Sequence, residues 1–281
     1  MCLEKGHFIE KEAKNRKIVH AQHPFEKICV IQRKPMPTYQ GGKARIGAEL
    51  YDVITQIESD LGWKSREFFE PFCGMLSVGI HAAKDGRRVI ACDMNEDLML
   101  MWQALQKGWI PRQNYVSKTE YDSYKNSKKH SALRGFLGIC CAFGGIFLNN
   151  YRIKKHKNAD NSLVQFKNSL KKDYIPYLKN VMFLDACSYD EFEGMKGVTI
   201  YADPPYLNNT YKGLNKLFDF DHKHFWNVMR KWSKNNLVFV SEYVAPADFI
   251  CIWEKAVSLS QSKSKERTEK LFVHKSYNPQ C

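Results

Sequence analysis

"REFFEPFCGMLSVGIHAAKDGRRVIACDMN", residues 66–95, reads as strand, glycine turn, helix, stop and second strand. Aromatic Phe68 and Phe69 suit a half-buried pleated strand, and Gly74 permits a sharp turn between strand and helix. Such a turn lets a ligand approach backbone N–H groups closely. The nucleoside-binding version of this unit wants an acid about 20 residues on, closing the next strand to hold ribose hydroxyls. Asp93 stands nineteen residues after Gly74 and meets that requirement. A second close-approach glycine is absent, because Leu76 occupies its place. The dinucleotide fingerprint is therefore not met, and NAD is disfavoured.

The same rhythm extends outward on both sides. Upstream, "ARIGAELYDVITQIES" (44–59) spaces Ile46, Leu50, Val53, Ile54 and Ile57 at helical intervals. Before it, "KICVIQRKPMPTY" (27–39) begins as a short strand and turns at Pro35 and Pro37, and residues 1–34 read as a polar extension. Downstream, "EDLMLMWQALQKG" (96–108) is a helix with Gly108 near its C-cap. The alternation then breaks. It returns from 181 with "VMFLDACSYDEF", "GVTIYADPPY", the helical "DHKHFWNVMRKWSKN", "NLVFVSEYVAP" and a last strand "KLFVHK". Alternating strands and helices predict an α/β fold with a largely parallel sheet. The expected organisation is a catalytic domain in two parts, 35–107 and 181–281, with a basic, irregular domain inserted at 108–180.

Composition narrows the class. The 281 residues are 44% hydrophobic and 13% aromatic, which describes a folded protein. No apolar run approaches the ~20 residues of a membrane span, and the charged N-terminus is no signal peptide. Nine cysteines are scattered without a Cys-x-x-Cys pair, so no metal ligand set is expected; reduced, buried thiols in an intracellular protein are. The net charge of +13 is concentrated: residues 105–180 hold fifteen Lys/Arg against four Asp/Glu. A one-sided basic block interleaved with aromatic and amide side chains points to nucleic acid. A solvated face is the competing reading.

Two further stretches carry candidate chemistry. In "PTYQGGKARIG" (37–47), Gly41-Gly42 gives a permissive backbone beside Lys43 and Tyr39, with spacing that is not that of a P-loop. In "TIYADPPYLNN" (199–209), a β-branched and aromatic strand ends in Asp203, Pro204, Pro205 and Tyr206. The prolines lack N–H donors, so sheet pairing must stop there.

Tyr-x-Gly-Gly-Lys at 39–43, Glu-Pro-Phe-x-Gly at 70–74, Asp-x-Asn-x-x-Leu at 93–98 and Asp-Pro-Pro-Tyr at 203–206 occur in this order. With a basic insertion between the third and fourth, the set resembles the Dam-type DNA adenine-N6 methyltransferases. "VFVSEYVAP" (238–246) and "ERTEKLFVHK" (266–275) are similar to that family's late motifs. The resemblance implies a Rossmann-like methyltransferase sheet with an inserted target-recognition domain. It also implies S-adenosylmethionine as cofactor and double-stranded DNA as partner, with a monomer expected. Tyr39, Lys43, Glu70, Phe72, Asp93, Asp185 and Asp203 would then form the cofactor pocket. The chain departs from the family's usual pattern at Leu76, where a glycine is common, and at Tyr39, where a tryptophan is.

The residues suit that chemistry. Adenine N6 is a poor nucleophile because its lone pair is delocalised into the ring. Asp203 accepting one N6 hydrogen, and the Pro204 carbonyl the other, would favour a tetrahedral nitrogen. Pro204 and Pro205 fix the carbonyl's direction, and Tyr206 would stack on an extruded base. Tyr201 is expected to pack in the sheet. In "CCAFGGIFLNNYRIKKHKN" (140–158), Asn149 and Arg152 are candidates for base edges, and Lys154 and Lys155 for phosphates. The alternatives are a cytosine-N4 methyltransferase, which faces the same exocyclic amine, and a catalytically idle DNA-binding protein on the same fold.

Overall fold

The computed structural model describes residues 39, 41–152, 161–192, 194–207, 220–258 and 266–277. The predicted 1–34 extension, most of the 27–39 strand, and Lys154 and Lys155 lie outside the described residues.

The first helix, α1 (Gly47–Asp60), forms where the apolar stripe predicts it, and Ile46, Leu50, Val53, Ile54 and Ile57 are all buried. Gly47 is required by packing, since a Cβ there would stand 2.0 Å from the Ser77 carbonyl. Next come β1 (Glu67–Glu70), α2 (Gly79–Lys84), β2 (Arg88–Ala91) and α3 (Glu96–Gln106). The Asn95 side chain accepts from the Leu98 N–H and caps α3. After the 108–180 segment follow β3 (Val181–Phe183), β4 (Thr199–Ala202), α7 (His222–Trp232), β5 (Leu237–Ser241), β6 (Phe249–Ser258) and β7 (Glu266–His274).

Among the described residues these strands form one seven-stranded sheet, ordered β3-β2-β1-β4-β5-β7-β6. The pairs from β3 to β5 are parallel, and β7 runs antiparallel to both β5 and β6. The central strands β4 and β5 are buried on both faces, as helix-covered strands must be: every residue of both is buried. Strand order reverses between β1 and β4. In open α/β sheets, ligands bind at the carboxyl ends of the strands at that switch point.

The 108–180 segment differs from its sequence reading. Its described part is helical, with α4 (Lys118–Asn126), α5 (Ala132–Cys140) and α6 (Asn161–Asp173). Two serines explain the helix starts: Ser117 accepts from Glu120 N–H and Ser131 from Arg134 N–H. The segment also shares the core of the sheet, because Phe136, Ile139 and Phe166 join the cluster containing Leu50, Phe68 and Trp102. Helix α5 lies tight on α3; a Cβ on Gly135 would meet the Asp97 carbonyl at 2.2 Å. The buried Asp97 carboxylate binds the two helices further, accepting from Ser131 N–H at 2.9 Å and from Arg134. Among the described residues no helix is long and apolar enough to cross a membrane.

Candidate active site

Each parallel strand has an acid at its carboxyl end: Glu70 closes β1, Asp93 and Asp185 stand two residues past β2 and β3, and Asp203 and Glu242 directly follow β4 and β5. The sheet's carboxyl edge is thus a row of carboxylates, and the two flanking the switch point are Glu70 and Asp203.

On the β1 side, Gly74 turns with φ 42° and its N–H donates to Asp93 Oδ2 at 2.9 Å. Asp93 Oδ1 accepts from Asn95 N–H at 2.9 Å. The carboxylate predicted to hold a ribose therefore also fixes the glycine turn. Burial raises Asp93 above the usual aspartate range, against the pull of these two N–H groups. Trp102 clamps the turn from below, its Nε1–H donating to the Gly74 carbonyl at 2.9 Å. The Tyr39 ring lies against Gly74, so a Cβ there would come within 3.2 Å of it. Glu70 is buried and accepts from Gly79 N–H at 2.8 Å; burial pushes it well above the ordinary glutamate range. Leu76 adopts φ 52°, a left-handed conformation that costs a non-glycine residue roughly 1–2 kcal/mol. The backbone thus keeps a shape suited to glycine although leucine stands there.

Phe72 packs among Tyr189, Phe220 and Phe225, with ring centroids 5.0, 6.0 and 5.9 Å away. Asp185 is exposed and accepts from Gln103 Nε2 at 3.0 Å. It lines a small cavity of about 190 Å³ with Glu96, Met99, Leu100, Gln103 and Ala186.

The β4 side holds the densest polar group. Lys43 is 5% exposed and its Nζ donates to both Asp203 oxygens, at 2.7 and 2.9 Å, and to the Gly41 carbonyl at 2.9 Å. The same ammonium lies 3.7 Å from Glu269 Oε2 and 4.7 Å from the centroid of the Tyr206 ring. Tyr206 donates its hydroxyl to Glu269 Oε2 at 2.9 Å and meets Tyr243 edge-on at 4.6 Å. Burial pushes Asp203 up to about 6 although Lys43 pulls it down. Burial opposes the charge on Lys43, but Asp203 and then Glu269 overcome it, so the ammonium titrates above its usual range. Asp203 is therefore a carboxylate at neutral pH, held by a buried cation. Tyr206 is itself buried, so stacking on a base requires Lys43 to leave the ring face or the ring to turn out. Tyr201 packs in the sheet with its hydroxyl on Ser241 Oγ at 2.8 Å.

Asn149 and Arg152 belong to the loop closed by an Ala142–Tyr151 bridge. The Asn149 carbonyl accepts from Tyr121 at 2.8 Å, and Arg152 Nη2 donates to the Ala142 carbonyl at 3.3 Å. The structure thus gathers Lys43, Asp203 and Tyr206 into one hydrogen-bonded group. Glu70 and Asp93 stand along the neighbouring strand ends, and the loop of Asn149 and Arg152 is built by the helical segment.

Sequence reasoning missed Glu242 and Glu269. Glu242 directly follows the buried strand β5, as Asp203 directly follows β4. Glu269 shares the β7 face of Leu271 and Val273, by the two-residue period.

The sheet order, the glycine turn and the edge acids together are those of a Rossmann-like methyltransferase. The chain belongs to the D12 class N6 adenine-specific DNA methyltransferase family, whose sequence model matches residues 39–270. Methyltransferases of this class use S-adenosylmethionine. No curated protein matches the chain.

Proposed function

We propose that the chain transfers the methyl group of S-adenosylmethionine to N6 of an adenine extruded from duplex DNA. The observation that carries this reading is Asp203, a carboxylate held by Lys43 at the switch point and followed by two prolines.

The residues fit the cofactor. The Gly74 turn and Asp93 present backbone and carboxylate to a ribose, and the edge acids suit a ligand bearing a sulfonium and an ammonium. When bound, the cofactor supplies an electrophilic methyl group. Tyr39, Lys43, Glu70, Phe72, Asp93, Asp185 and Asp203 are the residues that would line its pocket. Asp203 accepts one amine hydrogen and the Pro204 carbonyl the other, which localises the nitrogen lone pair toward the methyl. No covalent step on the protein is needed; the chain contributes chiefly proximity and orientation. The buried thiols of Cys73, Cys92 and Cys140 are raised by burial and stay protonated, so they take no part.

The basic 108–180 segment serves as the DNA-binding part. Asn149 and Arg152 would read base edges, with Lys154 and Lys155 on phosphates. Cytosine N4 poses the same chemical problem, and the adenine-specific family match favours N6. A catalytically idle DNA-binding protein would not need Asp203 kept charged inside the site. Methylation-sensitive sequencing of DNA from cells expressing the protein tests the reading. Methylated adenine in one short sequence context supports it, and DNA without added methyl groups contradicts it.

A further inference from the structure

Two carboxylates grip the far end of the Asp203–Tyr206 turn. Pro204 and Pro205 have no N–H, so the turn cannot be anchored by its own backbone until Tyr206. Directly beyond it, Leu207 N–H donates to Glu242 Oε2 at 3.1 Å, while Glu242 Oε1 accepts from Tyr243 N–H at 2.7 Å. Glu242 is 2% exposed, so these contacts are made away from water. On the other side, Glu269 Oε2 takes the Tyr206 hydroxyl at 2.9 Å. The two acids come from adjacent antiparallel strands, β5 and β7, whose pairing of Ser241 with Leu271 sets them beside one turn.

We infer that Glu242 and Glu269 are positioning residues, which hold the turn from β5 and β7 and thereby fix the direction of the Asp203 carboxylate and the Pro204 carbonyl. The inference rests on the methyl-transfer reading above. The two grips differ in kind. Glu242 receives two N–H donors and needs both oxygens as acceptors. Glu269 receives one O–H donor on Oε2, with Lys43 Nζ 3.7 Å from the same oxygen, and the grip on Tyr206 needs only that one acceptor. An amide has one acceptor oxygen and a donor NH₂. Glutamine is therefore wrong at 242, where its NH₂ must face an N–H, and adequate at 269. Each substitution removes one carboxylate and keeps side-chain size.

The test measures single-turnover methyl transfer from labelled S-adenosylmethionine to unmethylated genomic DNA, with cofactor affinity measured separately. Glu242→Gln should slow transfer by about 10- to 100-fold with cofactor affinity nearly unchanged, the scale of a misplaced reacting group. Glu269→Gln, which keeps one acceptor, should lose clearly less than Glu242→Gln, whereas Glu269→Leu, which has no acceptor, should fall by ~10-fold or more. Tyr206→Phe combined with Glu269→Leu should be no slower than the slower single variant, because both remove one contact. Equal losses in the two glutamine variants, no loss at Glu242→Gln, or additive losses in the double variant would overturn the inference. If Glu242→Gln does not fold, the Tyr206–Glu269 cycle decides alone. Wild-type protein that binds cofactor yet methylates no DNA would overturn the underlying reading as well, and is distinguishable because the other outcomes all require active wild type.

Discussion

Replacing Lys43 by Met removes the counter-ion of Asp203 and leaves an apolar side chain of similar length. In the native site burial holds Asp203 at about 6 despite two hydrogen bonds from Lys43. An adjacent opposite charge lowers a carboxyl pKa by about 1–3 units, so its loss should carry Asp203 to roughly 7–9. The charged neighbour that remains, Glu269, pushes in the same direction. A carboxylate accepts the amine hydrogen and a carboxylic acid competes as a donor, so activity follows the ionised fraction. If the pKa moves to ~8, that fraction at pH 7.5 falls from nearly all to roughly a quarter, and it returns above pH ~9. The assay is the pH dependence of kcat/KM for the cofactor, which reports groups of the free enzyme. Wild type should lose activity as pH falls through about 6, and Lys43→Met should lose it one or more units higher with recovery in alkali. A variant with an unmoved midpoint, or one uniformly slow at every pH, would refute the counter-ion role.

Further predictions follow from single contacts. Asp203→Ala should reduce single-turnover methyl transfer by ~10²-fold or more; a near wild-type rate would remove Asp203 from the chemistry. Asp93→Ala frees the Gly74 and Asn95 N–H groups and should mainly raise the dissociation constant for S-adenosylmethionine, checked by calorimetric titration. Gly79→Ala places a Cβ 2.3 Å from the buried Glu70 carboxylate, and urea unfolding should show a loss of about 1–3 kcal/mol. Neutralising Lys154 and Lys155 together should flatten the slope of log affinity against log salt by at most ~1.8. A fluorescence-anisotropy titration checks that, and an unchanged slope would move phosphate contact elsewhere.

Most of the fold was legible because its signals are local. The stripe from Ile46 to Ile57 and the run from Val198 to Ala202 each declare their element within a few turns or pleats. Asp93 and Asp203 were legible for a related reason: a charge closing a buried apolar strand stands out from its neighbours in the sequence. Glu269 was not, since its meaning depends on β7 lying antiparallel beside β5, a pairing between residues far apart in the chain. Two helices of the 108–180 segment, α4 and α6, were obscured by the lysines that interrupt their apolar faces, and α5 by its short length. Phe136 and Ile139 of α5 and Phe166 of α6 belong to the core of the sheet, which only their packing shows. Leu76 shows the converse, a backbone conformation kept where the expected glycine is missing.

The central claim is that Asp203 and the turn behind it activate an adenine amine. It is tested most directly by digesting unmethylated genomic DNA after incubation with the protein and isotopically labelled S-adenosylmethionine, and identifying the labelled nucleoside by mass spectrometry. The account predicts label in N6-methyladenine with wild type and its loss with Asp203→Ala. Label in N4-methylcytosine alone, or no labelled nucleoside from a protein that binds both cofactor and DNA, would contradict it.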